Sequence, residues 1–587
     1  MSLPNFCTQS ELFSTAALSG SLFPEGDRYR LFAKLIYPAL VGSRAALAKC
    51  YCTEDGRPAV EPVLLLGVSI LQELDGMPDR KAIEMLRYHA GWNFALNRQL
   101  GDELFHATTL VNFRNRLSEH QQSALGFRAI LKALEQAGLI SRPTRQRLDS
   151  TQMFGRVARM SRLDCVSETL RLALLELEPA LSVQARPAFW LPLWERYVET
   201  QVDYRASSET LARKLVEAGT DAWKLLEWLR SPAHGELNSK PQLLLLKRVF
   251  QEQFEMVPER VMIPPRESGA VDSTAAASDP SAARTLVVAP PSESSPSTSI
   301  EIRPKNKDEV ETTCVRNPHD PEATYSVKGQ GQQKREHVGY KVQVAETVCE
   351  ATLASEEPTR NFIVGIVTHL AYEHDEIGAI QMELEQAQMG LDKPPVLYVD
   401  ASYVSAQKLA RAQTEGRELI GPALPGPQKD GRFTASQFRV NVEQRQAVCP
   451  AGNLNTQCSR LVEASTGNVN YRFEFSTQCQ GCALRDRCLG QGQRHRTLLV
   501  GEYYTSLQTR RQEQQTAAFK QRMKHRNGIE GTQSELVRAH GLRRARYRGL
   551  AKARLQSYFA AAACNAKRWV RREAWQLRQA SSALARD

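Results

Sequence analysis

The stretch "VLYVDASY", residues 396–403, decides how this chain folds. Four of its first five positions are apolar, the pattern of a strand buried on both faces. The run then ends in Asp400, followed by small and polar residues, so a carboxylate stands at the end of a buried strand. A second segment, "RLDST" at 147–151, has the same form and leads into Asp149. Strands like these, set side by side in one sheet, bring their carboxylates to a common edge. Two adjacent anions repel, and the usual remedy is a shared proton or a divalent cation. Hard oxygen ligands suit Mg²⁺ or Mn²⁺. With a third acid the set becomes a site for two-metal phosphoryl transfer. Taken singly, each aspartate also reads as an ordinary turn or cap residue.

The sequence around residues 396–403 supports a mixed sheet. "EHVGYKVQVAETV" and "NFIVGIVTHL" are strand-like, a helix is expected over Ile377 to Met389, and the alternation runs from Tyr325 to Leu424. Upstream, Gly26 to Leu117 reads as helical, with apolar residues three and four apart in "DRYRLFAKLIYPAL", "PVLLLGVSILQELDG" and "DRKAIEMLRYHAGWNFAL". Its last segment, "HATTLVNFRNRLSEH", places Arg114 and Arg116 beside Phe113 and Leu117. These arginines fit either a helix-turn-helix contact with DNA or the exposed side of a packing helix. Leucine-rich helices are expected over Ser161 to Phe254, and the Ser, Ala, Pro and Thr of Pro264 to Asp308 predict a flexible linker.

Composition narrows the function. The chain has 587 residues, enough for three or four domains, and at 42% hydrophobic it can bury a large core. With no charged-apolar-small leader and no uninterrupted apolar run of spanning length, a cytoplasmic location is expected. The net charge of +11 is local, since residues 501–587 hold nineteen Lys and Arg against six Asp and Glu. A concentrated positive surface attracts polyanions, of which nucleic acid is the commonest in a cytoplasm. Within that tail, "GLRRARYRGLAKARLQ" carries Arg543, Arg544, Arg546, Arg548, Lys552 and Arg554, expected on a helix that grips the DNA backbone. Twelve cysteines do not make a disulfide framework in a chain of this size. Cys449 in "CPAGN" with Cys479, Cys482 and Cys488 in "CQGCALRDRC" instead offers four thiolates to a structural Zn²⁺, with Cys458 competing for the place of Cys449.

Four segments in order, "RLDSTQMFG", "NPHDPEATYSVKGQG", "VLYVDASYVSAQKLARAQTEGRELIGPA" and "HRNGIEGTQSELVRAHGLRRARYRGLAKARLQ", resemble the bacterial insertion-sequence transposases of the DDE class. The helical start from "YRLFAKLIYPALV" to "TTLVNFRNRL" is similar to the N-terminal domain of that group, and the cysteine pattern resembles its insert. The resemblance covers most of the chain. It implies an RNase H-like core that cuts transposon ends with two Mg²⁺ ions, with Asp149 as first acid, Asp400 as second and Glu530 as third. An arginine often precedes the glutamate by four residues in this class, and Arg526 stands there. Two positions depart from the pattern: Met523 replaces a common tyrosine, and Val537 replaces a lysine, with Arg538 next to it. Glu535 is the rival third acid. His319 and Asp320 match a motif before the second strand and are read as a turn, outside the catalytic set.

The expected architecture is multidomain α/β: an all-helical N-terminal domain and a mixed-sheet, RNase H-like catalytic core with a helical insertion and a cysteine-rich insert. Its expected parts are a helical DNA-binding or assembly domain at 1–125, core at 126–160, helical insertion at 161–262, linker at 263–310, core again at 311–435, cysteine-rich insert at 436–500 and a basic helical end at 501–587. The function implied is a DNA transposase acting on double-stranded DNA as a homodimer or larger assembly. A nuclease without strand transfer and an inactive DNA-binding relative are the alternatives.

Overall fold

The structure is a computed structural model, and it describes residues 2–4, 15–52, 56–99, 102–200, 207–258, 300–329, 334–350, 357–426 and 431–584. These residues form two compact units, Met1–Ala158 with Glu322–Asp587, and Arg159–Pro321.

The first unit is built on a six-stranded sheet. Its strands are β1 (Gln146–Phe154), β2 (Thr324–Lys328), β3 (Arg335–Thr347), β4 (Ile363–Leu370), β5 (Val396–Tyr398) and β6 (Glu418–Ile420). β1 pairs antiparallel with β3 along its whole length, from Gln146 opposite Thr347 to Phe154 opposite Gly339. On its other side β1 runs parallel to β5, which runs parallel to β6. β4 lies antiparallel against β3, and β2 makes a hairpin with the start of β3. The order is therefore β4-β3-β1-β5-β6, antiparallel across the first three strands and parallel across the last three. Parallel neighbours need crossovers, and helices over Asp375–Gln388 and Ala406–Thr414 supply them before and after β5.

Helices cover this sheet because their sequences offer close-packing faces. The longest, α1 (Leu550–Leu584), carries "YFAAAACNA", and Ala560 to Cys564 are fully buried. Small side chains let its backbone approach β4, and Asn565 closes the contact with both ends of its amide. Asn565 Oδ1 accepts from Ile363 N–H at 2.9 Å, and Nδ2 donates to Ile363 C=O at 2.8 Å. One continuous core runs from Leu66 and Ile70 of the helix Pro62–Asp75, through Tyr340 and Val342 of β3, to Phe559 of α1. The N-terminal helices and the sheet thus share a core.

A buried ion network ties the layers together. Glu346 on β3 is fully buried; Arg147 of β1 donates to it through Nε at 2.6 Å, and Arg568 of α1 through Nη1 at 2.5 Å. Arg147 also donates to the His525 carbonyl at 3.0 Å, and Thr532 Oγ1 donates to Glu346. Both of those residues lie on the helix Ala517–Ala539, here α2.

The second unit packs helices Arg162–Leu177, Ser208–Leu229 and Pro241–Gln253 around Leu170, Leu174, Leu225 and Leu246. It is closed by an antiparallel pair, Phe254–Pro258 with Ile300–Pro304. This strand pair corrects the linker boundary. Composition missed it because a single buried residue, Ile302, holds the second strand between charged neighbours. Residues 263–299 of the expected linker lie outside the described residues.

Two further expectations are corrected. Asp149 is the fourth residue of a nine-residue strand rather than the end of a short one, because β1 continues to Phe154 against β3. The basic run 543–548 lies before the start of α1, in a loop that bridges to Phe154 through Arg544. No helix among the described residues is long and apolar enough to cross a membrane.

Removing one partner from a buried ion pair strands the other charge, at a cost of about 3–5 kcal/mol. Glu346→Gln is expected to lose about that much stability in urea unfolding. A loss below about 1 kcal/mol, the size of an exposed pair, would show that the network is solvated.

Candidate functional site

The register of β1 against β5 builds the site. Gln146 pairs with Leu397 and Arg147 with Tyr398, and the same offset carried two residues on sets Asp149 level with Asp400. The two carboxylates interact: the Asp400 anion is one of the influences that favour the protonated form of Asp149.

Asp149 is 8% exposed. Its Oδ1 accepts from Ser150 N–H at 2.8 Å, and its Oδ2 accepts from Arg526 Nη2 at 2.7 Å. Arg526 turns its other nitrogen, Nη1, to Glu530 Oε1 at 2.8 Å. The spacing of four on α2 puts the arginine and the glutamate on one helical face, and Arg526 bridges the acids of two different elements. Glu530 itself is open to solvent, its side chain 66% exposed. Burial raises the Asp149 carboxyl above its ordinary range. Arg526 and the Ser150 amide oppose that rise, and Asp400 adds to it.

Asp400 is fixed by its own turn. Its Oδ1 caps the short turn Ala401–Tyr403, accepting from Ser402 N–H at 2.8 Å and from Ser402 Oγ at 2.6 Å. The same hydroxyl lies 3.2 Å from Asp375 Oδ2, and Asp375 pairs with Lys341 at 3.2 Å. Beneath them the buried Tyr403 donates its hydroxyl to Gln343 Oε1 at 2.7 Å. Burial, then the anions Asp375, Asp149 and Asp400, push that phenol far up.

Three contributors were not singled out in the sequence. Arg147 looks like an ordinary strand residue, yet it holds α2 one residue before Arg526. Gly528 of "HRNG" leaves room for it, since a Cβ there would come within 1.9 Å of Arg147 Nη1. Ser402 orients Asp400. A Gly two residues from the signal arginine was the available clue to the close approach.

Glu535 is not brought to the acids. Its carboxylate pairs with Lys567 at 3.1 Å and Arg568 at 3.0 Å. Burial pushes it up, but those two cations prevail and hold it below the usual carboxylate range. Its ligand atoms come within 4.8 Å of those of His540 and Cys564. Burial brings His540 down to about 4 and raises Cys564. With both cations already on Glu535, this group is a packed network of the core. Met523 packs with Tyr398, Ile420 and Phe519, which accounts for an apolar residue there. Val537 is half-buried on the same helix, and Arg538 is exposed.

The candidate DNA contacts divide. Arg544 and Arg548 are exposed and Lys552 is half-buried. Arg543 Nη1 donates to the Gln152 carbonyl at 3.1 Å. Arg546 is engaged internally, paired with the buried Glu73 at 2.7 Å, which removes it from the free surface. Arg114 is likewise buried against Asp79, and Arg116 lies 4.3 Å over the Tyr51 ring. Both arginines are thus engaged within the fold.

Cys449, Cys479, Cys482 and Cys488 line one small cavity with Phe433, Phe475 and Leu489. Burial raises the Cys488 thiol; Arg496 opposes, and the three other thiols add to the rise. Cys458 sits opposite Phe473 on a strand pair and does not line the cavity. His319 and Asp320 lie in the second unit, where His319 N–H donates to Asn317 Oδ1 at 2.9 Å in a turn and its ring meets Glu168 at 2.7 Å.

Residues 448–570 match the family described as "Transposase DDE domain", and residues 19–116 match "Transposase domain (DUF772)". The first match takes in the four cysteines, Arg526, Glu530 and the basic loop; the second takes in the N-terminal helices. Together they support an insertion-sequence transposase of the DDE class. No curated protein and no solved structure matches the chain.

The electrostatics of Asp149 give a titration with a defined sign. Its proton is held more tightly in the fold than in the unfolded chain. Raising the pH from the ordinary carboxyl value through the native one therefore costs stability at this residue. Carboxyl-carbon NMR is expected to place Asp149 above an exposed aspartate, higher still in Arg526→Ala and lower in Asp400→Asn. Unchanged titration in both variants would show that neither group acts on it.

Proposed function

We propose that this chain is a DNA transposase that cuts the ends of its element and joins them to target DNA, using Asp149, Asp400 and Glu530 on an RNase H-like core. The observation that carries the reading is Arg526, which binds Asp149 and Glu530 at once while the strand register sets Asp400 beside Asp149. Carboxylates gathered at the junction of two parallel strands and a helix call for positive charge, and a guanidinium supplies it here. The strand order, antiparallel over β4, β3 and β1 and parallel over β1, β5 and β6, supports the RNase H-like assignment.

The donor set fits Mg²⁺ or Mn²⁺: three carboxylates, with no sulfur or imidazole among them. Bound there, the ions would activate water and neutralise charge on the phosphodiester. The chain's own residues do the positioning. Ser402 holds the Asp400 carboxylate in one orientation. Arg147 and Gly528 fix α2, and with it Arg526 and Glu530, against β1. Arg526 is placed to turn from the acids to a non-bridging phosphate oxygen. The exposed Arg544 and Arg548 and the half-buried Lys552 grip double-stranded DNA without reading its sequence. Joining two ends requires two active sites, so the working form is a homodimer or larger assembly.

In the cysteine-bearing part, Cys449, Cys479, Cys482 and Cys488, which line one cavity, would hold a structural Zn²⁺ as a four-thiolate set.

The test is cleavage of a plasmid carrying the gene with its flanking DNA, in Mg²⁺ and in EDTA, with Asp400→Ala alongside. Metal-dependent cuts at the flanks that disappear in the variant are expected, with joined products separating transposition from nuclease action. Binding without cutting would sink the catalytic reading in favour of an inactive DNA-binding relative. Metal analysis of the same preparation should find about one zinc per chain, lost in Cys482→Ser; equal zinc in both would remove the thiolate site.

A further inference from the structure

Beyond the acids, the far end of β1 carries an aromatic and cationic surface that the catalytic reading does not use. Phe154, its last residue, is 37% exposed, and its ring meets that of His337 at 6.0 Å and 73°, edge to face. His337 is 6% exposed, and neither ring nitrogen makes a well-formed hydrogen bond, although the Ser326 backbone lies near enough to favour the protonated ring. Lys328, at the end of β2, is exposed. It acts on two groups at once, favouring the Asp149 anion and disfavouring a charged His337, so the β2–β3 hairpin brings it to both. Arg543 reaches the same place from the loop before α1, through its hydrogen bond to the Gln152 carbonyl. Among the described residues neither Lys328 nor Arg543 is ion-paired to a carboxylate. Lys341, the third cation here, is paired with Asp375.

An exposed aromatic face flanked by two cations not paired to carboxylates is complementary to a nucleotide: an anion beside a flat ring. Phe154 stands five residues beyond Asp149, about 16 Å along β1, and this odd offset turns the two side chains to opposite faces of the sheet, so Phe154 meets DNA away from the acids. We propose that Phe154, backed by His337, forms with Lys328 and Arg543 a subsite for an unpaired nucleotide of DNA at the end of β1, away from the scissile phosphate. Its base stacks on Phe154, and its phosphate lies between Lys328 and Arg543. A duplex cannot offer a free base face to this ring, so the subsite takes a strand where it is unpaired. This inference rests on the transposase reading and adds to it a place for single-stranded DNA.

The probe is a fluorescent oligothymidine, with binding followed by anisotropy against the full chain. Loss of one base–aromatic stack weakens binding about tenfold. Phe154→Ala and Phe154→Leu are both expected to show that loss, because leucine restores apolar bulk without a stacking face, and Phe154→Trp is expected to bind at least as tightly as wild type. Lys328→Ala is expected to reduce the slope of log affinity against log salt by about 0.7, the share of one phosphate contact on a single strand. Oligothymidine binding by Phe154→Leu equal to wild type would overturn the subsite, as would wild-type protein that does not bind oligothymidine. Plasmid cleavage by the same preparations keeps the two readings apart. Wild type that cuts at the flanks while Phe154→Leu binds normally removes the subsite alone. Wild type that neither binds nor cuts DNA removes both.

Discussion

Glu346, buried between Arg147 and Arg568, is the contact on which the arrangement of the first unit depends. A carboxylate taken out of water is tolerated only when charge and hydrogen bonds surround it, and each group that surrounds this one belongs to a different layer. Arg147 comes from β1, Arg568 from α1 and Thr532 from α2. Satisfying one buried acid therefore fixes two helices against the sheet. Arg147 carries the constraint forward through the His525 carbonyl, which sets where Arg526 lies. The position of Glu530 relative to Asp149 follows from a residue that touches neither.

The site above this network is held by opposing electrostatic tendencies. Burial and Asp400 favour a neutral Asp149, while Arg526 and the Ser150 amide favour its anion. A single arginine satisfies one oxygen on each of two acids and leaves Asp400 to its serine cap. Such a guanidinium holds the acids in place without a metal and can give them up to one. Most of the other arginines around this unit are structural: Arg114, Arg546 and Arg568 each close an internal ion pair. The positive charge left for a polyanion is thus smaller than the tail's composition implies.

Much of this was legible in the sequence, and the parts that were not have physical reasons. Apolar patterning located β3, β4, β5 and the helix Asp375–Gln388 before β5, because local pattern reports burial directly. The Arg526–Glu530 spacing gave their shared face, since helix geometry is local too. Strand length failed for Asp149 because polar Ser150, Thr151 and Gln152 read as a turn, although β3 pairs with all of them. The fate of each arginine was illegible, since Arg546 and Arg544 differ only in what the distant Glu73 does. Glu535 and Glu530 separated only once α1 brought Lys567 and Arg568 against the former. The spacing of Cys479, Cys482 and Cys488 was readable locally, whereas the cavity they line with Cys449 and without Cys458 appears only in the fold.

The central claim is that Asp149, Asp400 and Glu530 form a carboxylate site for divalent cations, guarded by Arg526. Titration of the purified protein with Mn²⁺, followed by the loss of its free EPR signal, tests it most directly without DNA. The account predicts that wild type takes up Mn²⁺, that Asp149→Asn and Asp400→Asn lose that uptake, and that Arg526→Ala binds at least as tightly because no guanidinium competes. Uptake that is the same in wild type and both asparagine variants, or absent from all of them, would contradict it.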